Sequence, residues 1–170
     1  MSPAGPSRKQ ARRDAVFLLY QTVVTDLPMA DLVKGQKLRE GYAPDEFTIK
    51  AVAGVLRDKD ALDAELEAHS RGWALDRVAP LELSILRLAL WEIRTEVSPP
   101  EVAIDEAVRL AKRYSTDEAG AFVNGVLGGC LRGAEDGAPA EGEDETPKAE
   151  PEAEPEAPEA EPEGGEGQGG

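Results

Sequence analysis

Leu81-Glu-Leu-Ser-Ile-Leu-Arg-Leu-Ala-Leu-Trp-Glu-Ile93 is apolar at nine of its thirteen positions and leaves no wide polar face. A helix that is apolar on most sides belongs at the centre of an all-helical domain or against a partner protein. Both are expected here: one side of this helix in the core, and a side around Arg87, Trp91 and Arg94 left for something else.

Working outward, the remaining segments are also helical, with no alternating strand pattern of useful length. From Arg8 to about Thr25, Ala11, Ala15, Leu18, Leu19 and Thr22 fall on one helical face, and Pro28 ends the helix. A shorter helix is predicted from Met29 to Glu40, stopping at Gly41. Pro44 in a first turn with Asp45 and Glu46 opens a long helix that Phe47, Ala51, Val52, Val55, Leu56, Leu62 and Leu66 carry to about Ser70. A short helical turn is expected near Leu75 to Val78. Ser98-Pro-Pro-Glu101 and Ser115-Thr-Asp-Glu118 have the capping-box form, with serine accepting from the third backbone N–H and glutamate reaching back. The first precedes Ala103, Ile104, Ala107, Val108, Ala111 and Tyr114, and the second Phe122, Val123, Val126, Leu127, Cys130 and Leu131, with Gly133 closing the last helix. The expected fold is all-α, with six to seven helices.

Charge divides the chain more sharply than hydropathy does. The 170 residues hold 19 Lys and Arg against 34 Asp and Glu, a net −15. Residues 134–170 alone carry −13, residues 1–133 carry −2, and the first thirteen hold Arg8, Lys9, Arg12 and Arg13 with no acid. The expected organisation is a flexible lead over residues 1–7, one helical domain over 8–133 and a Glu/Pro/Ala/Gly-rich acidic tail over 134–170. That tail has no Leu, Ile, Val, Phe, Trp, Tyr or Met, so it lacks the apolar surface needed to offset chain entropy and reads as disordered. It is either a solubilising appendage or a polyanion that competes for the chain's own basic patch.

Several function classes lose support. Cys130 is the only cysteine and His69 the only histidine, which puts a disulfide framework and a zinc site of usual composition out of reach. No nucleophile motif accompanies His69, which is placed as a favourable charge at a helix C-terminus. Gly125-Val-Leu-Gly-Gly129 matches neither phosphate-loop pattern. The chain reads as a cytosolic non-enzyme without a cofactor; no apolar run approaches the length of a bilayer, and Asp14, Gln21 and Thr22 spoil a signal-peptide reading of the first helix. What remains is basic and aromatic. At 100° per residue Lys9, Arg13, Val16 and Tyr20 fall within about 60° of one another, a stripe of two cations and a phenol suited to single-stranded RNA. Arg109, Lys112 and Arg113 form a second basic group, which also suits the negative end of their helix.

Four blocks carry a resemblance: Ala11-Arg-Arg-Asp-Ala-Val-Phe-Leu-Leu-Tyr20, Leu83-Ser-Ile-Leu-Arg-Leu-Ala-Leu-Trp-Glu92, Val102-Ala-Ile-Asp-Glu-Ala-Val-Arg-Leu-Ala-Lys112 and Phe122-Val-Asn-Gly-Val-Leu127. In order and spacing they resemble the NusB family of bacterial transcription antitermination factors over about residues 8 to 132. The resemblance implies two packed three-helix sub-bundles plus a short helix. It implies binding of boxA-type RNA from ribosomal RNA leaders together with NusE, the ribosomal protein that doubles as an elongation factor, and assembly with RNA polymerase and the other Nus factors. Some family members form homodimers that cover part of the RNA surface. Carried over by position, the RNA residues are Arg8, Lys9, Arg12, Arg13 and Tyr20, with Glu118 and Phe122 opposite them. The NusE surface falls on Glu82, Arg87, Trp91 and Arg94. Gln10 interrupts the arginine run usual in relatives, and Ala121 stands where they often carry a base. The alternative from a different class is a helical protein-interaction module whose basic end is incidental.

Overall fold

Proline at its first turn and Thr95 at its C-cap bound the apolar helix at Pro80–Arg94, and every residue from Leu83 to Ile93 is buried. This helix, α5, contacts four helices besides the one that follows it. The computed structural model describes residues 7–41 and 43–136. In chain order the elements are α1 (Arg8–Thr25), α2 (Met29–Glu40), α3 (Glu46–Arg57), α4 (Lys59–His69), a 3-10 turn at Leu75–Arg77, α5, α6 (Pro100–Tyr114) and α7 (Asp117–Asp136). There is no strand among the described residues. The all-α expectation is met, and so are α1 and α2, which ends at Gly41 in the left-handed conformation with φ 65°.

Two helical groups meet on α5. α1 packs against α2 and α3, α6 and α7 form the most extensive pair, and α5 touches α1, α3, α4, α6 and α7. One core results, running from Ala15, Leu18 and Leu19 of α1 through Leu86 and Leu90 of α5 to Val123 and Leu127 of α7. Thr48 ties α3 to α1 by donating to the Ala11 carbonyl at 3.1 Å. α3 also comes close to α5 at Gly54, where a Cβ would lie 2.3 Å from the Trp91 indole nitrogen. Only glycine leaves room for that ring.

Five local expectations are corrected. The long helix predicted from Pro44 is two helices separated at Asp58, although its apolar residues stay in phase. α3 packs on α1 and α5, while α4 packs on α7 and α5, so the chain turns to serve both sets of neighbours. Its N-cap is Asp45, whose carboxylate accepts from the Thr48 N–H at 2.8 Å, and Pro44 stands just before the cap. Ser98 makes no cap; its hydroxyl joins a buried ion pair, and Pro99 takes the N-cap position of α6. At α7 the cap falls to Thr116, which accepts from the Ala119 N–H at 3.0 Å and frees Ser115 to donate to Glu82 at 2.7 Å. The last helix continues past Gly133 to Asp136. Residues 1–6 and 137–170, covering most of the predicted lead and tail, lie outside the described residues.

Candidate nucleic-acid interface

α1 begins at Ser7, whose hydroxyl accepts from the Gln10 N–H at 3.2 Å, and its first turn contains no acid. Cations at the positive end of a helix dipole cost stability, so Arg8 and Lys9 are not explained by the helix they open. Arg8 lies over the Phe47 ring at 4.1 Å. Lys9, Gln10 and Arg13 face the C-terminal half of α6, and together with Ser7, Glu106, Arg109, Leu110, Arg113 and Tyr114 they bound a groove of about 260 Å³. Two basic groups nearly a hundred residues apart in the chain thus line one cleft.

The groove is net positive even after its internal pairing. Arg109 pairs with Asp105 at 3.0 Å and Glu106 at 3.6 Å along α6. Arg13 donates to Asp14 at 3.0 Å, which raises the guanidinium above its usual value and keeps it charged at any relevant pH. Among the described residues neither Lys9 nor Arg113 has a carboxylate partner. Tyr114 supplies an aromatic wall. Its ring meets Phe17 edge-on, with centroids 5.0 Å apart and planes at 81°, and the Arg113 guanidinium sits 5.5 Å from its centroid. In the sequence Tyr114 stands out only as part of an apolar stripe. Its signal, an aromatic directly after a basic cluster at a helix end, is legible only once α1 is known to lie beside it.

The other predicted RNA residues are placed differently. Arg12, one position before Arg13, is 6% exposed and turned into the protein. Its guanidinium donates to both Glu92 carboxylate oxygens at 2.9 and 3.0 Å and to Ser98 at 2.9 Å, and Ser98 donates in turn to Glu92 at 2.5 Å. As a surface cation Arg12 is therefore corrected: a buried carboxylate on α5 holds it. Tyr20 and Phe122 are half-buried, Phe122 packs on the core, and Glu118 is exposed. None of the three lines the groove.

The open side expected on α5 is also corrected. Arg87 is 7% exposed and Trp91 3%. Arg87 donates to Asp63 of α4 at 2.6 and 2.8 Å, and Arg94 bonds Glu65 of α4 and the Cys130 carbonyl at 3.2 Å. α4 supplies the carboxylates that close this side, and of the four predicted partner residues only Glu82 and Arg94 remain accessible. The remaining chemistry is spare. Burial, with the nearby Glu65 carboxylate, pushes the Cys130 thiol up to about 12. Among the described residues no three His, Cys, Asp or Glu side chains gather as a metal site, and no single helix is long and apolar enough to cross a membrane.

The family model described as "NusB family" matches residues 9–132. The chain belongs to the NusB family. That makes it a member of a non-catalytic family of transcription antitermination proteins. It is 44% identical over 131 residues to the transcription antitermination protein NusB of Rubrobacter xylanophilus, covering 76% of this chain and 91% of that protein. Among solved structures it is similar to NusB of T. maritima, with a TM-score of 0.67, 28% identity, and coverage of 76% and 93% of the two chains. It is also similar to a chain in a complex of the antitermination factors NusB and NusE with double-stranded RNA, with a TM-score of 0.65, 29% identity, and coverage of 74% and 96%.

Proposed function

We propose that this NusB protein binds a boxA-type RNA of ribosomal RNA leaders jointly with NusE, and enters an antitermination complex with RNA polymerase and other Nus factors in the cytoplasm. One observation carries the reading: Lys9, Arg13, Arg109 and Arg113 line one groove with Tyr114, in a relative of a protein solved with NusE and RNA. Clustered cations track phosphates, and an aromatic face beside them offers a base about 1–3 kcal/mol of stacking. Arg8 extends the basic run, with Tyr20, Glu118 and Phe122 meeting RNA that leaves the groove. Arg12 serves by fixing α1 against α5. NusE docks on the α4–α5 side, where it reaches Arg94 while Arg87, paired with Asp63, holds that surface from beneath; Glu82 lies at the α6–α7 turn, where Ser115 binds it.

A titration tests this: a fluorescent single-stranded boxA RNA and a double-stranded control, each with and without NusE. Tighter binding of the single strand when NusE is added supports the reading. NusE binding with no RNA contact at all would favour the alternative of a protein-interaction module.

A further inference from the structure

We propose that the chain's own acidic segment, residues 137–170, occupies the α1–α6 groove as an intramolecular polyanion that RNA must displace. This rests on reading the groove as a phosphate site, and it assigns that site a second occupant.

Charge and length point to this occupant. Residues 137–170 carry twelve acids against the single base Lys148, with glutamates at alternating or near-alternating positions from Glu150 to Glu163. The groove presents Lys9, Arg13, Arg109 and Arg113 against one lining carboxylate, Glu106. A polycarboxylate can approach such a cleft with several charges at once, as a nucleic acid backbone does. The segment has no aromatic or aliphatic side chain larger than alanine or proline to anchor it in the other large cleft, the apolar one between Leu19, Leu27, Val55 and Leu83.

The tether also fits. α6 and α7 are joined by Ser115 and Thr116 and run antiparallel, with the Lys112 stem lying against Gly120 across the turn. The groove lies at that turn, and the segment begins after Asp136 at the opposite end of α7. Twenty helical residues separate the two ends of α7, about 30 Å at 1.5 Å per residue. Thirty-four residues span at most about 110 Å, and the fourteen from 137 to Glu150 about 46 Å, so the acidic run can reach the groove. The span is therefore within reach, and tethering puts the acids at an effective concentration on the order of 1 mM. Against a non-specific polyanion affinity on the order of 0.1 mM, the groove would be mostly covered, and apparent RNA affinity lowered by about tenfold at low salt.

The test uses the full chain. A nitroxide is attached at Gly165→Cys, the native Cys130 thiol being buried and resistant to labelling. Amide signals of Lys9, Arg13, Arg109 and Arg113 should broaden at about 50 mM salt and recover near 0.5 M, where the Debye length has shrunk to a few ångströms. Replacing the twelve acids by Gln and Asn should abolish the broadening and tighten RNA binding by about tenfold at low salt. A segment that only repels RNA from solution would give the affinity gain without broadening, and that result would overturn the proposal. Broadening with no RNA binding by either form would instead overturn the RNA reading and leave the intramolecular contact standing.

Discussion

Arg12 and Arg13 are adjacent in one helix and have opposite fates. Arg12 is buried against Glu92 and Ser98, where it welds α1 to α5 and the start of α6. Arg13, with a side chain 41% exposed, leans on Asp14 and lines the groove. Successive residues on a helix point about 100° apart, so one turn supplies both a structural ion pair and a ligand contact. Residue type does not separate the two arginines; the element opposite each does. For Arg12 that element is α5, which carries a carboxylate, and for Arg13 it is α6, which carries further cations.

The largest expected break in this contrast is Arg12→Ala. Removing one member of a buried pair strands the other charge, and costs about 3–5 kcal/mol. Thermal or denaturant unfolding should show it, with Glu92→Ala costing a comparable amount. The double variant Arg12→Met with Glu92→Leu should lose clearly less than the sum of the singles, because no charge is left buried. If Arg12→Ala unfolds at the native midpoint, the welding role is wrong.

Next in size is Gly54→Ala. The new methyl would meet the Trp91 indole, and the overpacking should cost about 1–3 kcal/mol in the same unfolding assay. Arg13→Ala should change stability by less than about 1 kcal/mol, as an exposed pair does. It should nonetheless lower the slope of log affinity against log salt for single-stranded RNA by about 0.7. Equal stability losses at positions 12 and 13 would erase the contrast. The smallest effect near neutral pH concerns Cys130. Its folded value near 12 lies above the ordinary 9.0, so the folded state holds a proton that the unfolded chain releases. That contribution to stability is complete below pH 9 and is lost as pH rises from 9 toward 12. Iodoacetamide at pH 8.5 should leave the folded thiol unlabelled and modify it only on unfolding.

Much of the fold was legible because it depends on local chemistry. Pro28, Gly41 and the uninterrupted apolar run from Leu81 to Ile93 mark boundaries and centre without reference to anything distant. What misled was long-range. Ser98 has the right neighbours for a cap, yet a charge pair between residues 12 and 92 recruits its hydroxyl. The in-phase stripe from Val52 to Leu66 gives no sign of a break, because the turn at Asp58 answers to α1 and α7 rather than to its own sequence. The site followed the same division. Lys9 and Arg13 were found from helical spacing. Their meeting with Arg109, Arg113 and Tyr114, and the burial of Arg12, depend on how α1 and α6 lie across α5. Arg87 and Arg94 read as a partner surface because Asp63 and Glu65, which bind them, lie more than twenty residues away.

The central claim is that the α1–α6 groove, and not basic charge in general, is where RNA binds. The most direct test compares the native chain with the variant carrying Ala at Lys9, Arg13, Arg109 and Arg113, with NusE present and over a range of salt. Four lost phosphate contacts at about 0.7 each predict a slope smaller by nearly three, with the unfolding midpoint little changed. An unchanged slope in a folded variant would contradict the account.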